Sequence, residues 1–361
     1  MISLLAFIFV LSILILVHEF GHFFAAKRLG VRIERFSLGF GPVIFMLKRH
    51  QTEYCLSFIP LGGYVKMAGD NPAEGFRGES WEYLSQPIKK RMAIVLAGPA
   101  LNYLLAFLVF WLVFSTGYPA ITTKVGDLVK DYPGQNAGIQ KEDRILKVDG
   151  QDVRTWEEMT QIIHKTQKDT LDLLLKREEK IVVLTLKPRR EKVTNIFGQE
   201  EEIALIGIRP SEEMIKVRYP VSKSWSLAAK KLWSLTSLTF TALGRIVTGK
   251  MALRESVSGP LGIFFITKFA AEVGLASLFN LLAVLSASLA IFNILPIPVL
   301  DGGHILFLFI EKVRGKAATI KMQERITQVG IAFLVVLMIF VFYNDLIRFQ
   351  IIEKIVRLWR K

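Results

Sequence analysis

Four stretches of the chain are apolar and long enough to read as membrane helices: residues 1–26, 94–116, 277–295 and 326–343. About 20 apolar residues cross a hydrocarbon core roughly 30 Å thick. In the first stretch, Ser3 and Ser12 are the only polar interruptions before position 18. A cleaved signal peptide is the weaker reading. No Lys or Arg precedes the apolar run, and it leads into His18-Glu19-Phe20-Gly21-His22 rather than a small-residue cleavage site.

Between the first two spans the period changes. Residues 43–59 are rich in β-branched and aromatic residues around a polar turn, Lys48-Arg49-His50-Gln51. Glycine-containing stretches flank them at 36–42 and 61–67. This predicts β-hairpins. Non-helical backbone is tolerated at membrane depth only where protein or a water-filled cavity covers it, so a re-entrant β-loop is expected beside the first span. Its edge, at Gly62, Gly63 and Tyr64, offers an extended substrate a strand to pair with.

Residues 121–218 alternate strands and turns. Strands are expected at 125–129, 143–148, 171–176 and 181–186, an Asp-Gly turn at 149–150, and a closing strand at 206–208. Thr155 and Glu158 have the spacing of a capping box that opens a helix. The order of elements resembles a single PDZ domain, whose groove takes a strand-like peptide. Residues 222–254, with Trp225, Trp233 and several Lys, predict an interfacial amphipathic helix, because the apolar run at 232–244 is short for a span. Ser258-Gly259-Pro260-Leu261-Gly262 reads as a break, and the tail to Lys361 as amphipathic and basic. The layout is thus 1–120 (two spans and the β-loop), 121–218 (β-domain), 219–272 (interfacial segment) and 273–361 (two spans and the tail).

Composition agrees: hydrophobic residues make up 52% and the mean hydropathy is +0.39. The net charge of +14 is attributed to contact with anionic membrane lipids, since no basic helix or aromatic–basic motif of a nucleic-acid module is present. Cys55 is the only cysteine, which rules out an intrachain disulfide. Segment 27–91 carries 11 Lys or Arg and loop 305–328 carries 5, which places both in the cytoplasm, although the 5 after Tyr343 argue the other way. The β-domain is then extracytoplasmic.

Chemistry concentrates at positions 18–22. His18 and His22, four apart on a helix, can point both imidazoles at one metal ion, and Glu19 beside them is placed to act as general base. Only five His occur in the chain. His18 lies about 13 Å before Lys27 along a helix, which puts the site below the membrane surface. Pro296 and Pro298 stop the third span and present Leu300-Asp301-Gly302, with Asp301 the expected third ligand, because an Asp at that depth is costly unless it coordinates or pairs. Asn102, near the start of the second span after Ala97-Gly98-Pro99, reads as an interhelical hydrogen-bonder among small residues that permit close packing.

Together these motifs resemble the site-2 protease family of intramembrane zinc metalloproteases, in its bacterial RseP-like branch. The resemblance rests on the motif at 18–22, the Gly-Phe-Gly-Pro and Gly-Gly-Tyr-Val-Lys-Met stretches, the PDZ-like insert and Leu300-Asp301-Gly302-Gly303-His304. It implies a polytopic α-helical membrane protein of four spans in the inner (cytoplasmic) membrane. It further implies His18, His22 and Asp301 as ligands of Zn2+, Glu19 as catalytic base, and Asn293 among the substrate-positioning residues. Many members carry a further Asn where this chain has Ser288. The implied substrates are single-span membrane proteins already trimmed outside, of the anti-sigma-factor type, and remnant signal peptides. A proteolytically silent membrane scaffold acting through the insert is the alternative, and retention of Glu19 speaks against it. A metal transporter would need more polar residues within the spans, and nothing speaks for a chaperone.

Overall fold

A computed structural model describes residues 2–71, 76–194, 200–252, 257–317 and 319–350. Most of the basic tail expected after the fourth span lies outside these residues. In chain order the elements begin with α1 (Ile2–Arg28), β1 (Ile33–Arg49), β2 (Thr52–Met67) and α2 (Ile88–Thr116). Then come β3 (Tyr118–Ile121), β4 (Val125–Leu128), α3 (Pro133–Asn136), β5 (Arg144–Val148), β6 (Gln151–Asp152) and α4 (Trp156–Lys165). They are followed by β7 (Leu171–Arg177), β8 (Lys180–Leu186), β9 (Arg189–Thr194), β10 (Glu200–Leu205), β11 (Ile208–Pro210) and β12 (Met214–Val217). Helices α5 (Val221–Val247), α6 (Pro260–Val273), α7 (Leu275–Ile294), α8 (Asp301–Arg314) and α9 (Ile320–Arg348) complete the described chain.

Two compact units result. One comprises Met1–Val113, Val221–Thr241 and Ala252–Lys361, and the other Phe114–Pro220 and Ala242–Met251. In the first, α1, α2, α7 and α9 are each long and apolar enough to cross a membrane, matching the four expected spans. Helix α5 is one 27-residue helix that buries Ser224, Ala228 and Leu232, a stripe at four-residue spacing. Helix α6 was not anticipated, because Ser258-Gly259-Pro260 reads as a break. Pro260 instead occupies the first helical turn, where its missing N–H costs nothing. The buried Asp345 of α9 accepts hydrogen bonds from the Gly259 and Gly262 amides at 3.2 and 2.9 Å, satisfying donors that α6 leaves open.

The β-loop is more than a hairpin. Beyond the turn, β1 and β2 pair from Arg49↔Thr52 back to Val43↔Ser57. Residues 35–38 then face two segments at once, with Ser37 opposite both Cys55 and Tyr64. They form the central strand of a small folded sheet. Strand segment 63–67 flanks it on one side. The Ser37 and Ser57 hydroxyls are 3.2 Å apart, pairing two buried polar groups. The outer part of the loop carries exposed Ile44, Phe45, Met46, Leu47 and Phe58, an apolar surface that water would disfavour.

The second unit is the expected β-domain. Its four-stranded sheet has the order β6-β5-β7-β8, and it buries Ile145, Val148, Leu171, Leu173 and Leu175 against Met159 of α4. The capping box at Thr155 and Glu158 is formed, and Asp149 and Gly150 take φ of 50° and 77° in the turn between β5 and β6. The chain does not close at 206–208: β11 pairs with β4, and β12 pairs with β3 beyond it.

Candidate metal centre

Helix α1 buries His18 and His22 on one face, each 8% exposed, with the two rings edge to face at 4.8 Å. Asp301 enters from the first turn of α8. His18 Nε2 lies 3.3 Å from His22 Nε2 and 3.1 Å from Asp301 Oδ2, and His22 Nε2 lies 3.5 Å from Asp301 Oδ1. Zinc bonds of about 2.0–2.1 Å in a tetrahedron set ligand atoms roughly 3.3 Å apart. The two imidazole nitrogens and the carboxylate, each of whose oxygens approaches one of them, converge closely enough for one zinc ion, and the donor chemistry of two imidazoles and a carboxylate suits it. One Asp301 oxygen, Oδ2, is buried without a hydrogen bond, as a coordinating atom would be.

The turn that delivers Asp301 is tight. A Cβ on Gly302 would lie 1.9 Å from the Leu295 carbonyl oxygen, and one on Gly303 2.6 Å from that of Ile297, so both positions require glycine. Val299 sits at φ 88°, a conformation a β-branched residue rarely adopts, and strain of this kind costs about 1–3 kcal/mol. Across the site, Gly98 of α2 turns its bare Cα to both histidine rings. The small residues before Asn102 thus permit close packing, as the sequence implies.

Helix α2 also orients the rings. His22 Nδ1 is 2.9 Å from the Ile94 carbonyl oxygen, so it carries the proton and leaves Nε2 bare toward Asp301. Glu19 is half-buried beside them, on a cavity that Val65 of β2 also lines. This cavity, of about 430 Å³, joins His18, Glu19 and Asp301 to Tyr64, Asn293 and His304. Asn293 of α7 places Nδ2 3.3 Å from His18 Nε2. Gly63 abuts Ser37 and Glu19, whereas Gly62, at φ 132°, faces the Phe40 ring rather than the cavity. Arg91 and Glu311 pair at the same cavity, linking α2 to α8. That pair was not anticipated, because 220 residues separate its members. Asn102 bonds between helices as expected: its backbone oxygen accepts from Ser286 Oγ of α7 at 2.8 Å, and its side chain turns to His18 of α1, which brings it to the site as well.

Comparison with known proteins gives a consistent picture. The sequence model described as Peptidase family M50 matches residues 6–337. A Campylobacter jejuni protein named "Putative zinc metalloprotease Cj1068" is 34% identical over 351 residues, covering 96% of this chain and 94% of that one. The "Regulator of sigma-E protease RseP" of Escherichia coli strain K12 is 30% identical, covering 96% of this chain and 98% of that one. That alignment runs over 450 positions against the 361 residues here, so the relative carries residues this chain lacks. Among solved structures, the PDZ domain of the SdrC-like protein of Listeria innocua is 26% identical, covers 26% of this chain and 96% of that one, and has a TM-score of 0.20.

Proposed function

Since the chain belongs to peptidase family M50, whose members are zinc metalloproteases of the site-2 protease type, we propose that His18, His22 and Asp301 hold the zinc and that Glu19 is the catalytic base. The observation that carries this assignment is the convergence of the two imidazole Nε2 atoms, 3.3 Å apart, on the two oxygens of the Asp301 carboxylate at 3.1 and 3.5 Å, with Glu19 beside them. The chemistry supplied by zinc when bound is Lewis acidity, which polarises the scissile carbonyl and makes water a stronger acid. Glu19 takes the proton of the attacking water and passes it to the departing amine. Asn293, on the same cavity, positions substrate.

The substrates are single-span membrane proteins cut within their membrane segment, of the trimmed anti-sigma-factor type, and remnant signal peptides. The sigma-E name of the Escherichia coli relative supports the first class. A membrane helix hides its carbonyls in intrahelical hydrogen bonds, so it must unwind before it is cut. The outer edge of 63–67 receives the unwound segment as an added strand, with Tyr64, Val65 and Met67 lining the cavity. The exposed apolar surface of the β-loop supports its insertion into the bilayer. The chain sits in the inner membrane with 27–91 cytoplasmic and the PDZ-like insert outside, the insert excluding substrates not yet trimmed. Retention of Glu19 and the fit of the donor set leave nothing to favour a silent scaffold.

Cleavage of a single-span substrate in reconstituted membranes, with Glu19→Gln beside the wild type, tests the reading. Cleavage that Glu19→Gln leaves undiminished would overturn it.

A further inference from the structure

Asn102 is fully buried in α2, 84 residues from His18 in sequence. Its Nδ2 lies 3.4 Å from His18 Nδ1, and its Oδ1 is buried without a hydrogen-bond partner. With Nδ2 toward the ring the amide donates to Nδ1, which forces the ring proton onto Nε2. That proton would then occupy the nitrogen that faces His22 and Asp301. Amide oxygen and nitrogen are told apart only by their hydrogen-bond network. Exchanging them turns Oδ1 toward Nδ1, where it accepts the ring's N–H. The orphaned oxygen gains a donor, and Nε2 is left bare. His22 is already held this way by the Ile94 carbonyl of the same helix.

We propose that Asn102 is a positioning residue that fixes the tautomer of His18: its Oδ1 accepts from Nδ1–H and keeps the Nε2 lone pair aimed at the metal position. One face of α2 thereby orients both histidines, through a backbone carbonyl at Ile94 and a side-chain carbonyl at Asn102. The Ser286 hydroxyl of α7, on the Asn102 backbone oxygen, anchors that turn of the helix. The inference rests on His18 being a zinc ligand. Groups that orient ligating histidines typically contribute about 10- to 100-fold to metal affinity.

The test uses full-length protein in detergent. Zinc retained against graded chelator and the visible spectrum of the Co2+-substituted protein are measured for wild type, Asp301→Ala, Asn102→Leu and Asn102→Asp. A carboxylate at 102 accepts from Nδ1–H as the amide oxygen does, whereas Leu matches the size of Asn and accepts nothing. Asn102→Leu should lose zinc affinity about 10- to 100-fold, and Asn102→Asp should keep both the affinity and the Co2+ spectrum. Full retention in Asn102→Leu, or equal loss in Asn102→Asp, would overturn the inference while leaving the zinc ligands intact. Wild-type protein that binds no zinc would overturn the ligand assignment and this inference with it.

Discussion

Gly98 stands directly against His22: a Cβ at position 98 would lie 2.3 Å from His22 Nε2 and 2.9 Å from His18 Cε1. No heavy atom tolerates such an approach. Alanine normally favours a helix over glycine by about 1 kcal/mol, yet here it must displace both rings. Gly98→Ala is therefore expected to fold with its helix content intact and to lose most of its zinc. Metal analysis beside circular dichroism checks this, and wild-type zinc content in the variant would mean the rings do not need that space.

Glu19 and Asp301 should separate cleanly. Asp301→Ala removes the carboxylate from the donor set and should release zinc. Glu19→Gln keeps the size and a hydrogen-bonding oxygen but cannot take a proton, so zinc should stay while turnover falls by about 10²–10⁴-fold. Zinc content and single-turnover cleavage on the same samples decide it. Parallel loss of metal in both variants would make Glu19 a structural group.

Local pattern made much of this legible. The helical spacing of His18 and His22, the Pro-broken span before Asp301 and the capping box at Thr155 each reside within a few residues, and each is found where the pattern puts it. The misses are contacts between distant segments. Asn102 does bond between helices, but nothing in its neighbourhood indicates that its partner on α1 is His18. Helix α6 looked like a break because its cap is Asp345, supplied from another helix. The two-sided pairing of 35–38 depends on which segments the chain folds together, and hairpin patterning is silent on that.

Gly63 probes the proposed edge. A Cβ there would lie 2.8 Å from the Ser37 carbonyl oxygen and 3.4 Å from Glu19 Cγ, so Gly63→Ala shifts 63–67 without touching the zinc ligands. Displacement of about 1 Å can cost roughly 10²-fold in rate. Cleavage efficiency should fall on that order with zinc content unchanged. Unaltered cleavage would argue that substrate does not lie on this edge.

The insert offers a control outside the residues of the metal centre. Thr155 accepts from the Glu158 amide at 3.1 Å, and Glu158 returns the bond to the Thr155 amide at 3.3 Å. Thr155→Ala should destabilise α4 by about 1 kcal/mol. Hydrogen exchange should then speed up in α4 and its sheet partners, while zinc retention stays at the wild-type level.

The role of the insert can be decided by removing it, and the strand ladder shows where to cut. β3 and β12 pair from Tyr118↔Val217 to Ile121↔Met214, so the chain enters and leaves the domain on adjacent strands. Thr122 N–H donates to the Glu213 carbonyl oxygen at 3.0 Å one pair further on, so replacing residues 123–212 with Asn-Gly closes that ladder on a hydrogen-bonded pair with a two-residue turn suited to right-twisted strands. If the insert is a filter, the shortened protein should cut single-span substrates that have not been trimmed, which the full chain leaves intact. If the insert recruits trimmed substrate by its new C-terminus, cleavage of trimmed substrate should fall instead. Exclusion is the expected outcome, because discrimination between partners is often built by penalising the wrong one. Zinc content of the shortened protein separates either result from loss of the site. Untrimmed substrate that stays whole while trimmed substrate is still cut would sink the filter reading and leave recruitment to be measured by the remaining rate.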